Sequence, residues 1–150
     1  MTDVLAPVTG RLVPLSAVPD QVFAGQMVGS GVAIEPADGA DGADVVVVSP
    51  IAGTVLKLHP HAAIVLGAGA GILVHVGIDT VNLQGEGFTL LAAEKATVAA
   101  GDPLISFSPA LIRERGLSAI CPVVLMDSKP DTIAAPAERD VVAGDVIFSV

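Results

Sequence analysis

The chain has three histidines, His59, His61 and His75, and all of them lie between positions 59 and 75. Imidazole titrates nearest to neutrality, so it can act as nucleophile, proton carrier or metal ligand without further activation. His75 stands in the apolar run Gly71–Val81, where strand alternation sets Ile72, Val74, Val76 and Ile78 on one face. That leaves His75 with Leu73 and Gly77 on the other face. Gly77 has no side chain, so another molecule can reach the ring from that direction. A histidine alone in such a strand reads as structural; its pairing is what points to function. His61 opens the run His61–Leu66, and a turn through Gly67, Gly69 and Gly71 folds this run back antiparallel, close to the level of His75. Two imidazoles meeting across a strand pair either bind a metal or pass a group at nitrogen while the second ring holds it. His59 alternates to the same side as His61 and reads either as its neighbour in the site or as a solvent-exposed loop residue.

The elements that must position these rings are short strands. β-type runs occur at Val32–Ile34, Val45–Val48, Thr54–Leu58, Ala62–Leu66, Ile72–Ile78, Leu104–Phe107, Val123–Met126 and Val146–Val150. Strands at that density predict an all-β sandwich or barrel. One helix is expected over Pro109–Arg115, with Ser108 as N-cap, Pro109 at the first position and Gly116 as the stop. Asp38–Asp44, with Gly39 and Gly42 between the acids, reads as a solvated loop. The sequence also echoes itself. Ala6-Pro7-Val8-Thr9-Gly10 matches Ser49-Pro50-Ile51-Ala52-Gly53, and Val98-Ala99-Ala100-Gly101-Asp102 matches Val141-Val142-Ala143-Gly144-Asp145, both at an offset of 43 residues. Each copy reads as a turn beside a strand, with Ala24-Gly25-Gln26 as a weaker third Ala-Gly-Asp turn. No linker divides the chain, so a single domain over residues 1–150 is expected.

Composition bounds the function. With 16 Asp+Glu against 7 Lys+Arg, a net charge of -9, and no basic cluster, the chain is no general binder of nucleic acid or anionic membranes. Its mean hydropathy of +0.74 is high. Yet the longest nearly apolar stretch, Ala62–Val74, falls short of the ~20 residues a spanning helix needs. The first residues, Met-Thr-Asp with Pro7 close behind, do not read as a signal peptide, so a cytoplasmic location is expected. The single cysteine, Cys121, reads as a buried thiol.

The segment Leu73-Val74-His75-Val76-Gly77-Ile78-Asp79-Thr80-Val81-Asn82-Leu83-Gln84-Gly85-Glu86-Gly87-Phe88 resembles the signature of the glucose-type IIA component of the bacterial phosphoenolpyruvate:sugar phosphotransferase system. Supporting matches lie in Ala6–Gly10, Val18–Phe23, Met27–Pro36, Ser49–Gly53 and Pro122–Val124. The resemblance implies an antiparallel β-sandwich of the duplicated barrel-sandwich hybrid type with one or two short helices. It implies that His75 accepts a phosphoryl group from phospho-HPr and passes it to a cysteine of a sugar-specific IIB domain, with His61 stabilising the group. Phe23, Met27, Val28, Leu73 and Val81 resemble an apolar collar on which both partners dock, although ordinary core packing also accounts for them. Asp20 and Asp79 resemble acids at its rim, or turn caps. No cofactor is implied beyond zinc held adventitiously, or by His61 and His75 at a partner interface. Regulatory protein targets, as some relatives have, are a further implication.

The sequence departs from the family at two places. In many relatives a Thr hydroxyl in a longer turn holds the second histidine. Leu58-His59-Pro60-His61 is shorter and has no Thr, which leaves open what orients His61. The sequence begins almost directly on the first motif, so the N-terminal tail that some members use at the membrane is not expected. A rival reading is a zinc peptidase of the lysostaphin kind, built on His59-x-His61 with His75 and Asp79. Its usual upstream His and Asp pair is absent. A biotinyl or lipoyl carrier shares the turn types, but Lys57, Lys95 and Lys129 lack the Met-Lys-Met context. A phosphocysteine at Cys121 would lack the basic loop that holds a phosphate.

Overall fold

Short apolar runs punctuated by glycine and proline fold into thirteen strands and two short helices in a computed structural model that describes residues 1–150. The first part of the chain supplies β1 (Asp3–Leu5), β2 (Gly10–Pro14), α1 (Gln21–Ala24), β3 (Gly29–Pro36), β4 (Val45–Val48), β5 (Gly53–His59), β6 (Ala62–Gly67) and β7 (Ala70–His75). The second part supplies β8 (Phe88–Leu90), β9 (Thr97–Val98), β10 (Pro103–Phe107), α2 (Pro109–Glu114), β11 (Cys121–Met126), β12 (Arg139–Val141) and β13 (Val146–Ser149). Eight strands form one antiparallel sheet in the order β12-β2-β3-β11-β7-β6-β5-β9. The others form the sheet β4-β10-β8 and the pair β1-β13. None of these sheets closes on itself, so the architecture is a β-sandwich rather than a barrel.

Alternation gives the large sheet two apolar faces. One carries Leu12, Val32, Ile34, Val55, Ile72, Val74 and Val123 against Val4, Val47, Leu104, Phe107 and Ile147 of the smaller sheets, which makes the main core. The other face carries Val13, Ala33, Ala62, Leu73 and Val124, and Leu15, Val18 and Phe23 from the β2–β3 connection cover it. Each buried aliphatic contributes about 1.5–3 kcal/mol. With four Phe and no Trp or Tyr, many mid-sized side chains do what a few aromatics do elsewhere. His75 shares the second face with Leu73, so a small core of its own lies beneath the site.

The sequence echo is an internal twofold of the fold. The large sheet reads as two equivalent halves, β12-β2-β3-β11 and β9-β5-β6-β7, which meet where β11 pairs with β7. Gly10 lies opposite Val141, and Gly53 lies opposite Val98. Ala6 N–H donates to the Asp145 carbonyl and Ser49 N–H to the Asp102 carbonyl, both at 2.7 Å. The Asp102 carboxylate accepts from Ala99 N–H at 2.8 Å, and that of Asp145 from Val142 N–H at 2.9 Å. Gly101 and Gly144, at φ 92° and 98°, take the left-handed conformation both turns require. The third copy differs. Ala24-Gly25-Gln26 ends α1, with Gly25 N–H donating to the Gln21 carbonyl, and does not join two strands.

Two other elements depart from the sequence reading. The strand expected over Ile72–Ile78 stops at His75, because Gly77 and Asp79 have φ of 77° and 60° and break the extended backbone. Ile78 therefore packs in the second core rather than beside Val76. Helix α1 is four residues long, too short to show a hydrophobic period, and its one signal is the Asp20 carboxylate accepting from Val22 N–H at 2.8 Å. Helix α2 forms where its caps place it: the Ser108 hydroxyl accepts from Leu111 N–H at 3.1 Å, and Gly116 has φ 79°.

Candidate active site

His75 ends β7, and its ring lies between two others. The Phe23 ring of α1 is 5.2 Å away, tilted by 56°, and the His61 ring is 5.4 Å away, edge-on at 66°. The register places Ala62, not His61, opposite His75. Strict alternation would therefore send His61 to the opposite face. It does not, because His61 lies outside β6, in the two-residue turn with Pro60 that joins β5 to β6, and the turn lets its side chain swing over the strand end. Its carbonyl accepts from Val76 N–H at 2.7 Å, which pins the turn beside the residue that follows His75. His59 stacks on His61 at 5.7 Å and 16°. Phe23, His75, His61 and His59 thus form a row of four rings in a protein that is only 3% aromatic.

The hydrogen bonding of His75 selects a tautomer. Nδ1 lies 2.6 Å from the Gly77 carbonyl oxygen. A carbonyl only accepts, so Nδ1 carries the proton and Nε2 keeps its lone pair for attack. The local backbone is shaped for this bond. Gly77 is at φ 77°, and a Cβ there would meet Thr80 Cγ2 at 2.5 Å and the Ser118 carbonyl at 3.0 Å. The Thr80 hydroxyl donates to the Val76 carbonyl at 2.6 Å, and Ile78 N–H donates to the Ser118 carbonyl at 2.9 Å. Burial holds the pKa of His75 below the usual histidine value, while the Gly77 bond and the charges of Asp20 and Asp79 oppose the shift. The pKa of His61 is also lowered, first by burial and then by repulsion from His75 and His59. Neutral imidazoles at neutral pH are the consequence, as a nitrogen nucleophile requires.

The remaining sequence-named residues divide by position. Phe23 and Leu73 are buried in the second core, and Val28 is half-buried against it. Met27 and Val81 are exposed, at 75% and 57% of their surface. Asp20 caps α1 through its carboxylate, and its charge acts to raise the pKa of His75. Asp79 is exposed, caps nothing with its side chain, and sits at the strained corner after Ile78. Sequence reasoning did not find the Gly77 carbonyl, Thr80 or Ser118. Gly77 in a strand pattern is the available signal, and in the structure it makes a turn at φ 77° rather than open space.

Residues 2–130 match the family described as "phosphoenolpyruvate-dependent sugar phosphotransferase system, EIIA 1". The chain belongs to this family. It is 46% identical over 128 residues to a glucose-specific EIIA component of Bacillus cereus, covering 83% of this chain and 74% of the relative. It is 43% identical over 131 residues to a mannose-specific EIIBCA component of Corynebacterium glutamicum, covering 85% of this chain and 18% of that longer protein. The fold is that of the glucose permease IIA of Mycoplasma capricolum, with a TM-score of 0.83 and 31% identity over 97% of this chain and 92% of the other.

The rival readings lose support on the geometry. No group of three or more His, Cys, Asp or Glu is arranged to hold a metal, so His59, His61, His75 and Asp79 do not form the ligand set of a zinc peptidase. Cys121 is fully buried, and burial pushes its thiol up to about 12, out of range for a phosphocysteine. No helix is long and apolar enough to cross a membrane.

Proposed function

We propose that the chain carries a phosphoryl group on Nε2 of His75, taken from phospho-HPr and delivered to the cysteine of a IIB domain of a glucose, N-acetylglucosamine or β-glucoside type permease. What supports this reading most directly is the bond from Nδ1–H of His75 to the Gly77 carbonyl. It leaves one nitrogen free, and it also offsets the positive charge the ring gains as the N–P bond forms. In the first step the Nε2 lone pair attacks phosphorus and the bond to the donor breaks, its electron pair returning to HPr. In the second the IIB thiolate attacks phosphorus and the pair returns to Nε2. No proton leaves His75 in either step, and no cofactor takes part. His61, its ring 5.4 Å from that of His75, donates to the phosphoryl oxygens while the transition state, loose and spread over those oxygens, passes.

The exposed side chains of Met27 and Val81, beside the supported Phe23 and Leu73, suit a dry docking disc. Asp20 and Asp79 suit basic partner faces. A relative named as an EIIBCA component, of which this region is a small part, supports a IIB-type acceptor.

Transfer with phosphoenolpyruvate, Enzyme I and HPr tests the proposal. His75→Ala is expected to take no label. His61→Gln is expected to accept phosphate from HPr and fail to pass it to IIB. Full labelling of the His75 variant would overturn the assignment.

A further inference from the structure

We propose that His59 is a positioning residue for the phosphoryl relay: stacked on His61, its ring fixes the plane of that imidazole and aims a ring nitrogen at the group carried on His75. The inference rests on the reading of His75 as the carrier, and it concerns a residue that reading does not use.

The need for such a residue comes from the position of His61. It lies in a turn, partly exposed, and no protein hydrogen bond holds its ring. An imidazole in that situation has a broad two-fold freedom at χ2, and half of its orientations turn the wrong edge to His75. Two rings flank it. On one side is the edge of His75, which must stay free to react, and on the other the parallel face of His59 at 5.7 Å and 16°.

His59 is itself well anchored. It is the last residue of β5 and lies opposite Ala62, so the strand ladder fixes its backbone. Pro60 then locks the link between the two rings at φ of about −65°. His61 follows with a negative φ, and a Cβ on Gly85 would already touch Pro60 Cγ at 3.7 Å, so the 85–87 turn backs the hairpin tip. The stack is therefore a feature of the braced hairpin and not of two free side chains. An exposed imidazole laid flat on a second imidazole gives the latter one plane without adding a charged or bulky group on the partner side.

The test compares His59→Ala, His59→Gln and His59→Phe in the full chain. Phe keeps a flat ring and loses the nitrogens, Gln keeps polarity and loses the ring, and Ala loses both. Misplacing a reacting assembly by ~1 Å costs up to ~100-fold, so loosening one assisting ring is expected to slow transfer from phosphorylated His75 to IIB by about tenfold in the Ala and Gln variants. The Phe variant is expected to return to within about twofold of the unsubstituted chain, since it restores the stacking face. The imidazole proton resonances of His61 report its orientation without any transfer. They are expected to move in the Ala and Gln variants and to stay ring-shifted in the Phe variant. Unmoved His61 resonances in His59→Ala overturn the proposal, as does a Phe variant as slow as the Ala variant. If the unsubstituted chain takes no phosphoryl group at all, the carrier reading fails instead, and the resonances still decide whether His59 sets His61.

Discussion

At the scale of single residues, the chemistry depends on one hydrogen bond and two perturbed imidazoles. Nδ1–H of His75 is held by a backbone carbonyl rather than by a side chain, so the tautomer is built into the chain path. Both His75 and His61 have pKa values below the ordinary 6.5. Phosphoryl acceptance, which needs a neutral nucleophile, is therefore expected to persist on the acid side to below pH 6.5, and a rate–pH profile would show it. The same shifts set the pH dependence of stability. As pH falls through 6.5 the unfolded chain takes up protons that the folded imidazoles still refuse, so stability falls towards the lowered folded values and is fully present only above 6.5. Denaturant midpoints measured between about pH 7 and 5 should decline, and the decline should shrink in a His61→Gln/His75→Gln double variant.

At the scale of elements, short pieces with defined ends do the positioning. Gly77 turns β7 away after His75, and its φ of 77° leaves no room for a Cβ beside Thr80. Gly77→Ala is expected to cost about 1–3 kcal/mol and to loosen the Nδ1 bond, as urea unfolding and the His75 resonances would report. Helix α1 has a separable double dependence on Asp20. Asp20→Asn keeps an oxygen for Val22 N–H, whereas Asp20→Ala removes both the cap and the charge. Both should weaken capture by a basic partner, while only Ala should lower stability, by about 0.5–2 kcal/mol. Equal losses of stability would show that the charge, and not the cap, holds α1 against His75.

At the scale of the whole molecule, two similar halves support one asymmetric site. The turns closed by Asp102 and Asp145 have the same backbone and carboxylate bonds, with one addition at the second, where Ala143 N–H donates to the Thr9 hydroxyl, and they share no hydrogen-bond partner. Asp102→Ala and Asp145→Ala should each cost about 1 kcal/mol, adding in the double variant, with phosphotransfer unchanged. The echo at an offset of 43 residues makes this symmetry legible in the sequence, because turn chemistry is local and repeats when the turn repeats.

Other local features were legible for the same reason. The β runs, the caps of α2, and a hairpin that brings two histidines together all follow from side-chain alternation, glycine and proline placement, and cap residues. Even so, the sequence could not show that His61 sits outside its strand, since a one-position shift in register decides that. It also left Phe23, Met27, Val28, Leu73 and Val81 undivided between core and surface. Which of them are buried depends on how the β2–β3 connection folds over the second face of the sheet. The row Phe23, His75, His61, His59 and the carbonyl that sets the tautomer belong to the tertiary structure for the same reason. They are contacts fixed by burial and by packing between segments far apart in the chain, and local preference carries no information about them.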